Sequence, residues 1–168
     1  MGFKKTSETI AISFSVAELA PGVYQEDEVA LQLDVLNNEI FVVLAVDLNT
    51  QLPEAIAATN TSVKASVAST ASLTMQTLAN TNVLAVARDS IQAAGFVDGG
   101  CAFARGATET YTGDISYIGL IATNNFHVGI LGAGNVGTKT VNGRLWGYRA
   151  KADSSTYAAL VQSEVLSA

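Results

Sequence analysis

One glycine-rich segment has the spacing of a nucleotide-binding loop. Gly132, Gly134 and Gly137 give the pattern G-x-G-x-x-G after an apolar run, and Asp153 follows at the distance where a dinucleotide site places an acidic residue. The pattern binds a pyrophosphate only when a helix begins within the glycines, because the helix amides face the phosphates. Residues 138–143 are poor helix formers, and too little chain follows for a doubly wound sheet. We therefore predict a loop between two strands and no cofactor.

The residues available for nucleophilic or acid–base catalysis are few. His127 is the only histidine, and it lies between Phe126 and Val128 on a predicted strand, where a structural role is usual. Cys101 is the only cysteine, and it has no neighbouring cation to activate its thiolate and no partner for an intramolecular disulfide. We predict no catalytic residue, and a hydrolase built around His127 is the third and weakest hypothesis.

The acidic run Glu26-Asp27-Glu28 has the carboxylates that Ca²⁺ prefers. Such a run is more often a solvated acidic turn, and we predict that turn and no metal site. The formal net charge of −6, with nine Lys and Arg residues, argues against a large phosphate-binding surface. We expect no direct contact with nucleic acid.

Arg144, Trp146 and Tyr148 alternate along one predicted strand and should share a face, with Leu145, Gly147 and Arg149 on the other. Three interpretations stay open for the aromatic pair. The single Trp can be part of the core, the pair can anchor a subunit contact, or it can form a platform for sugars.

The elements that position these residues are mostly strands. Residues 9–16 and 29–35 alternate polar and apolar side chains, and residues 39–46 form an apolar run typical of a central strand covered on both faces. Asn37-Asn38 is predicted as a tight turn, because Asn tolerates a positive φ. Two further strands are predicted within residues 61–81, and others at 82–91, 101–104 (a short one), 114–121, 126–131 and 140–150. Residues 155–166 are predicted to form a terminal helix capped by Asp153 or Ser154.

These eight to ten strands predict an all-β fold, a single jelly roll or antiparallel β-sandwich, as one domain over residues 1–168. Only 14% of the residues are charged, against about 25% in typical soluble domains. Few Lys, Glu or Pro residues are then available to block the sheet edges. We expect neighbouring copies to cover those edges, although a polar, uncharged monomer stays open. No apolar run approaches the roughly 18–20 residues of a bilayer span, and no signal peptide is visible.

Two segments together resemble a known family. They are residues 112–123, TGDISYIGLIAT, and residues 143–153, GRLWGYRAKAD, with the helix that follows. The pattern resembles the smaller major capsid protein of the sphaerolipovirus-like viruses, which are icosahedral and enclose a membrane. The resemblance implies a single vertical jelly roll that pairs with itself and with a second, larger capsid protein. It also implies a place in the virion after synthesis in the host cytoplasm, with a lipid layer between coat and genome.

The leading hypothesis is therefore a structural viral capsid protein, and not an enzyme. Its candidate contact residues are Phe41, Trp146, Tyr148 and Tyr157. The alternative comes from a different class: a β-sandwich carbohydrate-binding module that uses Trp146 and Tyr148 with Glu26 or Asp27.

Overall fold

The computed structural model describes residues 2–95, 103–108 and 115–167. These residues form ten strands and one α-helix, which confirms the predicted all-β fold with a terminal helix. The strands are β1 (Phe3–Lys5), β2 (Ile10–Ala17), β3 (Gln25–Ala30), β4 (Glu39–Thr50), β5 (Thr61–Ala68), β6 (Val83–Gln92), β7 (Phe103–Thr108), β8 (Gly119–Ile121), β9 (Asn125–Ala133) and β10 (Thr140–Ala152), and the helix is α1 (Ser154–Ser167).

The strands form two antiparallel sheets. Sheet I has the order β2-β10-β4-β8, with β1 next to β2 along the same side of β10. Sheet II has the order β3-β9-β5-β6-β7. Without the short β1 and β7, the chain forms two four-stranded sheets and crosses between them after most strands, which is the jelly-roll arrangement.

The main core lies between the two sheets. Phe41, Leu145 and Val16 of sheet I meet Phe126 and Val128 of sheet II, and all five are buried. Successive side chains of a strand point to opposite faces of its sheet, so the period of two determines which residues this core receives. Phe14 and Phe126 meet edge to face, with their ring centres 5.8 Å apart.

The apolar run in β4 is buried on both faces, as predicted. Phe41 and Val43 enter the main core, whereas Ile40 and Val42 belong to a second cluster on the outer side of sheet I. Helix α1 covers that second cluster with Tyr157, Leu160 and Val161. A central strand between two apolar layers needs an unbroken apolar run, and this is why alternation is absent here.

Two contacts fix α1 on sheet I. Asp153 caps the helix, because its Oδ1 accepts a hydrogen bond from the backbone N–H of Thr156 at 2.7 Å. Near the other end of α1, the Glu164 carboxylate accepts from the N–H groups of Ala122 and Thr123, at 2.9 and 3.1 Å. The helix covers the half of the sheet next to the C-terminal end of β10 and leaves the other half open.

The prediction for the second strand was wrong in its position. Strand β3 covers the acidic residues and ends at Ala30, before the alternating segment 29–35 is complete. Leu31 and Leu33 are still buried, but Gln32 has a φ of 54°, which no extended strand allows. The turn at Asn37-Asn38 is confirmed in one respect, since Asn38 has the expected positive φ of 54°. It closes a single 3₁₀ turn, Val35–Asn37, that leads from sheet II to sheet I.

Two further strand predictions differ from the structure. Residues 61–81 contain one strand, β5, and the chain from 69 to 82 is a loop that Asn82 fastens to Ser69 and Thr70. Leu73, predicted in a strand, is 95% exposed in that loop. The predicted strand at 114–121 is reduced to Gly119–Ile121 among the described residues. The predicted short strand at 101–104 lies partly outside the described residues. Its last two positions belong to β7, which begins at Phe103.

Candidate functional site

The glycine pattern joins two strands, as predicted, although Gly132 still belongs to β9 and the loop begins at Gly134. Strand β9 ends at Ala133, Gly134 takes a φ of 74°, and β10 begins at Thr140 without a helix. The Glu54 carboxylate accepts hydrogen bonds from the N–H groups of Val136 and Gly137. These bonds hold the pKa of Glu54 below its usual value. A side chain of the protein thus already occupies the amides that a phosphate would need.

A second carboxylate fastens the same end of the sandwich. Glu18 is 4% exposed and accepts from three backbone N–H groups, those of Gly22, Gly132 and Lys139, at 3.1, 3.1 and 2.9 Å. Three donors satisfy a buried carboxylate that would otherwise be unfavourable. Glu18 therefore connects the β2–β3 loop to both ends of the β9–β10 loop.

His127 lies in β9 on the outer side of sheet II and pairs with Glu26. Its Nδ1 is 3.5 Å from Glu26 Oε1, and the two side chains are 11% and 14% exposed. Glu26 also accepts from the Tyr24 hydroxyl at 2.8 Å and from the Ser72 N–H. Burial, followed by the hydrogen bond to Glu26, raises the pKa of Tyr24 above its usual value. This cluster holds the 69–82 loop against the sheet and contains no activated nucleophile.

The acidic run is part of strand β3 and not a turn, so that prediction was wrong. Alternation along the strand places Glu26 and Glu28 on one side and Asp27 on the other. Among the described residues, no group of three or more His, Cys, Asp or Glu side chains converges as a metal site. Cys101 lies outside the described residues.

The uncovered half of sheet I is the most distinctive surface of the described chain. Its centre is a row of three cross-strand neighbours, Ser13 on β2, Arg144 on β10 and Asp47 on β4. One row lies on each side, and we call all three rows the open face. The row next to α1 is Ala11, Trp146 and Ala45, and the row next to the loops is Ser15, Asn142 and Asn49.

The side chains of the open face are exposed, apart from the half-buried Trp146. The Arg144 guanidinium carbon is 5.5 Å from the Trp146 ring centre, and its Nε donates to Ser13 Oγ at 3.2 Å. Asp47 Oδ2 accepts from the indole N–H of Trp146 at 3.1 Å. Arg144 and Asp47 are directly opposite each other, yet they form no ion pair. Each therefore keeps polar atoms free to bind something else.

The four predicted contact residues occupy different surroundings. Phe41 is 0% exposed in the main core, so its side chain is not available to another subunit, and this expectation is corrected. Tyr148 and Tyr157 pack in the cluster beneath α1, and the Lys5 ammonium lies 4.8 Å from the Tyr148 ring centre. Trp146 alone lies on the open face. Arg144, Trp146 and Tyr148 do share one side of β10, but the helix covers the last of them.

The edges of the two sheets differ in charge. Strand β2 is eight residues long without any charged residue, and within the described chain it pairs with β10 alone. Strand β3, at an edge of sheet II, carries Glu26, Asp27 and Glu28, which protect an edge from pairing. Strand β8 protects its edge by being three residues long. Edge β2 therefore has neither of these protections.

One end of the sandwich presents exposed aliphatic side chains. Leu19 and Val23 lie in the β2–β3 loop, Leu52 in the β4–β5 loop and Val136 in the β9–β10 loop, and they are between 53% and 81% exposed. Glu18 and Glu54 fasten these loops to each other through the bonds described above. Exposed apolar side chains on neighbouring loops can form an interaction surface where they are contiguous.

The chain was compared with family models, curated proteins and solved structures, and none of the three comparisons finds a match. The part of the chain that the structure describes contains no helix with both the length and the apolar character needed to cross a membrane.

Proposed function

We propose that this chain is a structural subunit of a viral capsid. The subunit associates with further copies of itself and with a second, larger capsid protein to build an icosahedral shell around a membrane. The capsid identity and the larger partner come from the resemblance of residues 112–123 and 143–153 to the smaller major capsid protein described above. The jelly-roll fold supports the proposal, because viral coats commonly use it.

The observation that carries the proposal is the unprotected edge of β2. An exposed edge strand has backbone N–H and C=O groups that can pair with another strand, and proteins that stay monomeric usually block it with charge, Pro or a short length. β2 has eight uncharged residues with Ala11, Ser13 and Ser15 exposed. Two copies related by a two-fold axis can align their β2 strands antiparallel without bringing like charges together.

The aliphatic loops offer a second contact surface. Leu19, Leu52 and Val136 would become buried if this end of the sandwich met another protein. Each fully buried side chain of this size contributes about 1.5–3 kcal/mol relative to its exposed state. Since these loops lie at an end and β2 lies at an edge, one subunit can use both contacts at once. We assign the loops to the larger partner.

The alternative, a carbohydrate-binding module, predicts a monomer. Size-exclusion chromatography with light scattering over a range of protein concentrations separates the two functions, and electron microscopy of the same fractions checks for particles. The capsid proposal predicts dimers or larger assemblies. A chain that remains monomeric at every concentration, and that is retained on a glycan column, would favour the module.

A further inference from the structure

We propose that the open face of sheet I, centred on Arg144, Trp146 and Asp47, binds a neutral saccharide. The inference does not depend on the capsid role, because a sugar can bind there whether or not copies assemble. Each of the nine positions of the face is on one side of the sheet, on β2, β10 or β4. Helix α1 stops short of them.

The charges of the open face favour a neutral ligand. Arg144 and Asp47 are the only ionisable residues among its nine positions, and they have opposite signs. A bound anion would be attracted by Arg144 and repelled by Asp47, and a bound cation would meet the reverse. A neutral ligand avoids both conflicts. The face is also too polar for a lipid surface or an apolar peptide, since Ser13, Asn142 and Asn49 are exposed on it.

Arg144 and Asp47 both have hydrogen-bonding groups that no other residue of the described chain uses. Arg144 uses its Nε on Ser13, which leaves both terminal nitrogens without a partner in the described chain. Asp47 uses one oxygen on Trp146, which leaves the other oxygen free. A hydroxyl group is both a donor and an acceptor, so neighbouring hydroxyls can satisfy Asp47 and Arg144 together. Sugars are the common neutral ligands that carry such hydroxyls in rows.

The indole of Trp146 lies next to both of these polar groups. Trp146 is fixed by its bond to Asp47 and has the small Ala11 and Ala45 as its cross-strand neighbours, while the Arg144 guanidinium lies over its ring, 5.5 Å from the ring centre. A ligand that bonds to both Asp47 and Arg144 therefore lies beside the indole. Three strands and three rows give an area of about 10 Å by 14 Å on one side of the sheet, which accommodates more than a single sugar.

The test uses the fluorescence of Trp146, which is the only Trp and therefore reports on this face alone. The full chain is titrated with four neutral hexasaccharides: maltohexaose, cellohexaose, chitohexaose and mannohexaose. We expect at least one of them to change the emission of Trp146 with saturation. The variants D47A and R144A each remove one partner of the hydroxyls and should weaken that binding about tenfold or more.

K64A is the matched control, because Lys64 is a partly exposed cation on sheet II, away from the open face. It should leave the affinity unchanged. Three results would overturn the proposal. The first is the absence of an emission change with all four sugars, and the second is equal binding by wild type and D47A. The third is a lower molar mass for the R144A variant than for wild type, which would mean that the face binds a second copy of the chain. The first two results leave assembly through β2 untouched, because they measure sugar binding alone.

Discussion

Arg144 and Asp47 lie directly opposite each other on β10 and β4, but they contact different partners. Arg144 donates to Ser13 on the far side of β10, and Asp47 accepts from the Trp146 indole in the next row. Opposite charges at such a cross-strand position usually attract each other. Their separation leaves a donor and an acceptor side by side on an exposed sheet, and this gives the open face its binding capacity.

The first prediction concerns stability at this site. Because Asp47 is exposed and forms no ion pair, D47A should change the free energy of unfolding by no more than about 0.5–1 kcal/mol. It should also shift the emission of Trp146, which loses its acceptor. Urea unfolding followed by circular dichroism, with emission spectra of the folded protein, measures both. A loss above about 2 kcal/mol would mean that Asp47 stabilises the fold by more than its bond to Trp146.

The second prediction concerns the buried Glu18. E18A leaves the N–H groups of Gly22, Gly132 and Lys139 without their acceptor. The Gly132 and Lys139 donors are buried, and since each unsatisfied buried donor is costly, we expect a loss of about 2–4 kcal/mol in urea unfolding. E8A is the matched control, because Glu8 is exposed and its removal should cost less than about 0.5 kcal/mol. Equal effects of the two variants would contradict the fastening role of Glu18.

The third prediction concerns pH. The pKa of Glu54 is lowered in the folded protein, first by the hydrogen bonds from Val136 and Gly137. The ionised carboxylate therefore stabilises the fold above its unfolded pKa, near the ordinary value of 4.5, and this stabilisation is lost as the pH falls through the lower folded value. At pH 7 the melting temperature of E54Q should be lower than that of wild type. At pH 3, where the Glu54 carboxylate of wild type becomes protonated, the difference between the two proteins should be small. If the melting temperatures of wild type and E54Q differed by the same amount at both pH values, the ionised carboxylate of Glu54 would not be the source of the stabilisation.

The fourth prediction separates core from contact at Phe41. Because Phe41 is fully buried between the sheets, F41A should lower the free energy of unfolding by about 3–5 kcal/mol. L73A is the control, because Leu73 is exposed and its truncation should have little effect on stability. If F41A unfolded like the wild type and only lost the ability to associate, Phe41 would be a contact residue after all.

The strands with a clear pattern could be predicted from the sequence. Alternation located β2, and the unbroken apolar run located β4, because a strand between two apolar layers needs apolar residues at every position. The acidic β3 could not be found, since Glu and Asp are rare in strands and its register depends on pairing with β9. The loop 69–82 looked like a strand because Leu73 and Met75 alternate, although Leu73 is exposed.

The candidate site could be predicted only in part. Trp146 and Arg144 were found because they alternate on one strand. Asp47 and Ser13 come from other strands, and only the register brings them beside Arg144. That register also depends on an irregularity opposite Trp146 and Gly147, where β4 has one extra residue, Leu44. No sequence pattern marks this extra residue, so the row could not be assembled before the structure was known.

The most direct test of the central claim is the molar mass of two lysine variants. S15K places a charge on the unprotected edge strand β2, whereas N49K places the same charge in the same row of sheet I but on the interior strand β4. Both positions are exposed, so both variants should fold.

Light scattering during size-exclusion chromatography at increasing concentration gives the mass of each protein. We expect dimers or larger assemblies for wild type and N49K, and monomers for S15K, because paired β2 edges would bring two ammonium groups onto one sheet. A monomeric wild type at every concentration, or an S15K variant that associates as wild type does, would contradict self-association through β2.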